Sequence, residues 1–435
     1  MTELKRELGL LDATMINVGT IIASAIFIVP SAIAGELPAS ALVLLVWIVG
    51  GLVSLLGALC VAELGAAFPR AGGQFVFLRE AYGPVWGYLY GWASAVVINP
   101  ASIAAIAVAF ATYLGFFLPL DSHAIKGVAI LSIALLTGIN CLGVRTGART
   151  QNGLTLLKIG LVALLILLGF ALPGGRAANF TPVWPRQPFA TLISPFGVAM
   201  VAALWAYDGW IEITYVGGEV KEPERNLPRS IIASTVLAIV LYSLITMSFV
   251  YVLPHARLAS SPLVASAAAR VTMGQAGATL VAVAILISTF GANNGIVLTA
   301  ARIPYAMARD GLLFRWAAGV HPRFLTPVPA LVAQGIVASV LALSGTYDEL
   351  FTYVIFTSWV FYAMSCGAVI RLRHKAPALP RPYRAWGYPV TPVVFIAFAT
   401  WLVANTIVAA PRDAAVGAGI VLAGLPGYFY WKRYG

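Results

Sequence analysis

The sequence predicts an all-α, polytopic membrane protein with about twelve transmembrane helices. Composition, the length of the apolar runs and the sidedness of the charge carry that expectation. Of the 435 residues, 60% are hydrophobic and 10% charged, a balance that excludes an ordinary water-soluble domain. Runs of roughly 18–25 apolar residues, each long enough to cross a bilayer, recur about twelve times. They fall near 13–35, 41–66, 84–118, 124–142, 151–173, 194–218, 229–253, 275–309, 328–345, 347–371, 389–411 and 414–431. The formal charge of +11 is placed unevenly. With both termini inside, most lysines and arginines, among them Arg70, Arg145, Arg229, Arg302 and Arg373, lie on the inner side. Lys126, Arg176, Arg186, Arg257, Arg270 and Arg412 fall outside. This bias fixes the orientation and explains the basic character without nucleic acid as a partner.

Taken in order, Thr2–Asp12 reads as an amphipathic lead-in with Asp12 as a helix cap. No cleavable leader is expected, because the first apolar run is too long and no small-residue cleavage site follows it. That run contains GTIIASAIF at 19–27, with Gly19, Thr20 and Ser24 where lipid favours leucine, and Pro30 close behind. Breakable backbone is tolerated in a bilayer only against protein or around a cavity, because every polar group needs a partner. After Glu63, the semi-apolar FPRAGGQFVFLREAYGP is expected along the inner face or as an internal lid. Asn99, Pro100 and Ser102 interrupt the third run as a proline bend or a ligand contact, with the bend favoured. The fifth run carries Lys158, and a Pro/Gly-rich loop covers 173–193. A second polar interruption, Trp205–Gly218, follows five runs after the first, and GGEVKEPERNLPRSI then makes a tight turn. Residues 254–274 suit short surface helices. No linker divides the chain, so residues 1–435 are read as one domain. Two interrupted spans five apart predict inverted repeats at about 13–173 and 194–371, with helices at about 389–431 appended.

Unwinding GTIIASAIF would expose N–H groups at the start of the second half-helix, where the dipole favours an anion. Carbonyls of Ile21 and Ile22 would then face a cation, joined by those of Trp205, Ala206 and Asp208, with Gly209 as the second break. Two such ends suit a zwitterion; two intact, packed helices are the plain alternative. A charge at the centre of a span costs roughly 2.5–3.5 kcal/mol on insertion scales, so Lys158 needs partners. It either snorkels to the inner surface two turns away or bonds the carbonyls of the first break and Ser288, and the second is favoured. Asp208 and Glu212 are the acids deep in the sixth run, and a break at Gly209 would end their shared helix face. Asp208 either meets a ligand cation or holds the unwound segment. Glu63 and Glu219 are expected to pair with loop arginines. The 4 histidines are scattered, and Cys60, Cys141 and Cys366 lack metal or redox spacing. No catalytic residue, metal or cofactor is expected.

Several motifs occur in a fixed order: GTIIASAIF, Lys158, WAYDGW with GEVKEPERNLPRSI, STFGANNG with RIPYAMARDGLL, and RPYRAWGYPVTP. Through them the chain resembles the amino acid–polyamine–organocation superfamily along nearly its whole length. More narrowly, it is similar to the bacterial branch of the L-type amino-acid transporter family. The resemblance implies the leucine-transporter fold, alternating access and sodium-independent exchange of L-amino acids across a bacterial plasma (inner) membrane. Its partners would be a small-molecule amino acid and membrane lipid. Matched by position, Ser24 and Ala25 would offer amides to the substrate carboxylate. Ile21, Trp205, Ala206 and Asp208 would offer carbonyls to its ammonium, with the Trp205 ring as a gate. Lys158 matches a lysine that stands in for a sodium ion, Ser288 and Asn294 match polar positions on the eighth helix, and Ser358 and Trp359 match a pair beside the substrate side chain.

Two departures stand out. The usual GSG is here Ala23-Ser24-Ala25, and each Gly→Ala change favours helix by roughly 1 kcal/mol. That bears on how far the first helix unwinds and how large a ligand fits. The loop GFFLPLDSHAIKG lacks the cysteine through which eukaryotic members join a heavy chain, so no disulfide-linked heavy chain is expected. Amine or polyamine antiport, and a non-transporting amino-acid sensor, are the alternative readings.

Overall fold

A computed structural model describes residues 3–185, 187–344 and 347–434; Arg186, one of the outer basic residues, lies outside them. The first span is two helices, α1 (Leu10–Ile21) and α2 (Ala25–Glu36), bent by 41°. Because α1 opens at Leu10, Asp12 sits in its first turn instead of ahead of it, and its Oδ2 accepts the Gly9 N–H at 2.9 Å. After the unbroken α3 (Ser40–Ala67), the semi-apolar loop folds into the short α4 (Gln74–Tyr82). The third span comprises α5 (Pro84–Ala93), a π turn (Ser94–Ile98) and α6 (Asn99–Leu114). Asn99 Nδ2 donates to Ser94 Oγ at 2.6 Å across that wide turn, so the polar pair supports the irregularity together with Pro100.

Asp121 caps α7 (Ser122–Cys141) by accepting the Ala124 N–H at 2.7 Å. The next span, α8 (Val144–Ala171), starts at Val144 and not at 151, which puts Lys158 halfway along it. The sixth span ends early: α9 (Phe189–Ala206) gives way to turns at Tyr207–Ile211 and then to 3-10 turns at Glu212–Tyr215 and Gly217–Glu219. Beyond lie α10 (Pro223–Val252), the surface helix α11 (His255–Ser260) and α12 (Val264–Ala300), which kinks at Gly274. The last elements are α13 (Arg302–Arg309), α14 (Val328–Ser344), α15 (Tyr347–Lys375), α16 (Val390–Ala409), α17 (Pro411–Leu422) and α18 (Gly424–Tyr434).

Among the described residues, 8 helical stretches are long and apolar enough to cross a membrane, or 9 with α1 and α2 counted as one span. The helices α9, α14 and α15 occupy the remaining expected positions. Leu131, Leu156 and Leu167 are largely exposed, which suits contact with lipid and not with water. The chain is thus an all-α polytopic membrane protein.

Packing divides into two apolar clusters. One is built on α1, α2, α3, α9 and α10 and contains the buried rings of Trp47, Tyr207 and Tyr242. The other joins α6, α7, α12 and α14 through Ile103, Ile133, Ala292 and Leu331. Ion pairs gather at one end of the bundle. Glu63 takes Arg373 at 2.6 Å and Arg381 at 3.6 Å, while Glu219 takes the fully buried Arg302 at 2.7 Å. Arg302 opens α13, so the partner of Glu219 is a helical arginine and not the expected loop residue.

Candidate functional site

The first break is short. Ile22 is extended (φ −81°, ψ 92°), Ser24 has already returned to helical angles, and α2 resumes at Ala25. Without glycine the chain leaves the helix for few residues, as the higher helix propensity of alanine requires. The second break is sharper. Gly209 takes φ 108°, a region that penalises any side chain, and a Cβ there would stand 3.0 Å from the backbone of Thr20 and Ile21. The two breaks therefore touch through bare backbone, and the Thr20 hydroxyl lies 3.3 Å from the Gly209 carbonyl.

Four side chains supply what the broken helices have lost. The Lys158 ammonium is buried, donates to the Gly19 carbonyl at 2.8 Å and also bonds the Ile22 carbonyl. Snorkelling is thereby excluded in this conformation. Ser288 does not bond the lysine directly among the described residues; its hydroxyl lies 3.2 Å from the same Ile22 carbonyl and 3.1 Å from that of Ala23. The hydroxyl of Tyr242 on α10 lies 2.8 Å from the Ile21 carbonyl and 3.1 Å from that of Ala206. Asn17 holds the far side of the second break, donating to the Trp210 carbonyl at 3.0 Å and accepting from the Ile213 N–H at 3.3 Å.

A cavity opens where the two apolar clusters meet. Ile21, Ala25, Trp205, Ala206 and Asp208, all named as candidate ligand contacts, line it, with Ala23 and Glu212 and with Ser102 of α6. No basic side chain lines it among the described residues. Breaking the helix after Ala206 ends the shared face of Asp208 and Glu212, yet both residues line this cavity. The Tyr362 hydroxyl donates to Asp208 Oδ1, and Thr299 Oγ1 donates to Glu212 Oε2 at 2.9 Å.

Three expected residues lie elsewhere. Ser24 is buried outside the lining, with its carbonyl accepting the Phe27 N–H at 3.0 Å. Asn294 joins a separate polar cluster, donating to Gln151 Oε1 at 2.8 Å and accepting from Asn140 Nδ2 at 2.9 Å; it does not touch Lys158. Ser358 is buried away from the lining, and its hydroxyl has no hydrogen-bond partner among the described residues. Its neighbour Trp359 stacks on Phe395 at 5.6 Å. Sequence reasoning missed Tyr242, Asn17, Tyr362 and Thr299. Asn17, an amide in an apolar run, was the legible signal; the tyrosines resemble ordinary interfacial residues.

Two broken spans face each other, a buried ammonium holds one of them, and residues of both breaks, two of them acidic, line the cavity between: this is the architecture of a membrane transporter for a small polar solute. A sequence model of the amino acid permease family matches residues 8–429, and the chain belongs to that family. It is 34% identical to the human b(0,+)-type amino acid transporter 1, over 100% of this chain and 89% of that protein. The serine/threonine exchanger SteT of Bacillus subtilis (strain 168) is 34% identical, over 99% of this chain and 98% of its own. The human large neutral amino acids transporter small subunit 2 is 32% identical, over 99% of this chain and 82% of its own. The relatives are membrane transporters, not enzymes.

Proposed function

We propose that this protein exchanges L-amino acids across the membrane by alternating access, independently of sodium. The observation that carries the reading is the Lys158 ammonium on the Gly19 and Ile22 carbonyls. A fixed positive charge there does what a bound cation would do for a broken helix, so no ion need be recruited. The substrate carboxylate would face the N-terminus of α2 at Ala25, and its ammonium would face the carbonyls of Ile21 and Ala206, sharing them with Tyr242. The corresponding places of the two breaks support inverted repeats at about 13–173 and 194–371. The arginine bias supports an orientation with both termini in the cytoplasm, and the likeness to the Bacillus exchanger supports a bacterial inner membrane. Buried Cys60 and Cys366 and half-buried Cys141 support action without a disulfide-linked partner.

The test is uptake of labelled L-serine, L-leucine and L-arginine by proteoliposomes, in sodium and in choline buffer, with and without internal unlabelled substrate. Exchange is expected in both buffers and only with internal substrate. Sodium-stimulated uptake, or binding without flux, would overturn the reading. Asp208 and Glu212 in a cavity lined by no basic side chain favour amine antiport as a second reading, and putrescine as internal and external substrate separates it.

A further inference from the structure

A groove runs along the outer face of α10, away from the central cavity. Its floor is Ile232, Val236, Leu237 and Val240, and one wall is Tyr383 and Trp386 from the segment between α15 and α16. Arg229 closes one end. The positions 229, 232, 236 and 240 recur at helical spacing, so they form one stripe on α10. Val236 and Val240 are 42% and 47% exposed and Trp386 is 67% exposed, too apolar a strip to face water.

Length and charge identify the occupant. From Arg229 to Val240 the stripe is about 16 Å long at the helical rise of 1.5 Å per residue. One leaflet of hydrocarbon is about 15 Å deep, half of a core of roughly 30 Å. The groove therefore fits an acyl chain of the leaflet at the charged end of the bundle. Arg229 lines the groove, and Arg384 lies in the chain between Tyr383 and Trp386 of its wall; both arginines are exposed, and neither has an ion-pair partner among the described residues. Trp386 on the wall is an exposed indole, the kind of ring enriched where helices meet lipid headgroups. A guanidinium on the groove and a second one on the segment that forms its wall, beside an apolar channel, match a phosphodiester with a hydrocarbon tail.

We propose that this groove is a binding site for an anionic phospholipid, with its acyl chain on the α10 stripe and its phosphate between Arg229 and Arg384. The site bears on the centre of the protein through two routes. The stripe ends two residues before Tyr242, whose hydroxyl meets both breaks. The wall is anchored through Ala385, whose N–H donates to Glu63 Oε2 at 2.7 Å. A lipid seated there holds α10 against the 383–386 segment.

The experiment is native mass spectrometry of the purified full chain after exposure to equal amounts of phosphatidylglycerol and phosphatidylcholine, with glycerol phosphate as a chainless control. Wild type should retain phosphatidylglycerol at least about fivefold over phosphatidylcholine and should not retain glycerol phosphate. The Arg229→Gln/Arg384→Gln double variant should bring the ratio near one, and the charge-keeping Arg229→Lys/Arg384→Lys variant should preserve it. Val236→Trp, which fills the groove, should remove the retained lipid. Equal retention of both lipids by wild type, or an unchanged ratio in the Gln variant, would overturn the proposal. So would a dimer that Val236→Trp dissociates, since a second copy would then be the occupant.

Discussion

The hydroxyl of Tyr242 lies 2.8 Å from the carbonyl of Ile21, the last residue of α1, and within reach of the Ala206 carbonyl at the end of α9. One side chain on a third helix thus joins the two points where the spans break. Ile21 and Ala206 also line the cavity, so in the proposed binding mode the tyrosine and the substrate ammonium would share acceptors. Tyr242→Phe keeps the ring against Trp47 and Tyr207, at 5.3 and 5.0 Å, but removes the donor. A net hydrogen bond of about 1 kcal/mol predicts roughly fivefold slower exchange with little change in melting temperature. Wild-type rates in this variant would show that the hydroxyl is a bystander.

Lys158→Ala strands the Gly19 and Ile22 carbonyls. Leaving buried acceptors unmet costs about 1–3 kcal/mol, which predicts exchange slowed by roughly ten- to hundredfold. Uptake rates in sodium and choline buffers check this, and full activity in the variant would remove the lysine from the mechanism.

Gly209→Ala adds a methyl at φ 108° and 3.0 Å from the backbone of α1. Strain of about 1–3 kcal/mol adds to the clash, so the two breaks must separate. The expected outcome is a lower melting temperature in detergent together with loss of exchange. A stable, active variant would mean that the breaks do not need to touch.

Ala25→Gly acts in the other direction. Ala25 lines the cavity and opens α2, so removing its methyl should admit bulkier substrates or lower the KM for the native one. Competition by a series of amino acids of rising size measures it, and an unchanged series would place the methyl outside the substrate's reach.

Glu219→Gln tests the charged end. Arg302 is fully buried against Glu219, and removing one partner of such a pair costs about 3–5 kcal/mol. A marked fall in thermal stability is expected, with partial recovery in Glu219→Gln/Arg302→Met. Equal melting of wild type and the single variant would contradict a structural role for the pair.

The sequence by itself determined the all-α membrane class, the sites of both breaks and the need of Lys158 for carbonyl partners. Each follows from local chemistry that lipid makes severe: long apolar runs cross, a glycine in WAYDGW can leave the helix, and a charge within a span must be met. The tertiary structure alone decided which groups meet across the chain. Asn294 and Ser288 share one helix six residues apart, yet only Ser288 reaches the first break, because a turn of 100° per residue sends them to different neighbours. Asp208 and Glu212 lose their common helix face but keep a common cavity, because the turn at Gly209 redirects the backbone that carries them. Tyr242 was invisible for the same reason: its role depends on where α10 packs, and the packing of a buried stripe is a property of the whole bundle, not of the residues within it.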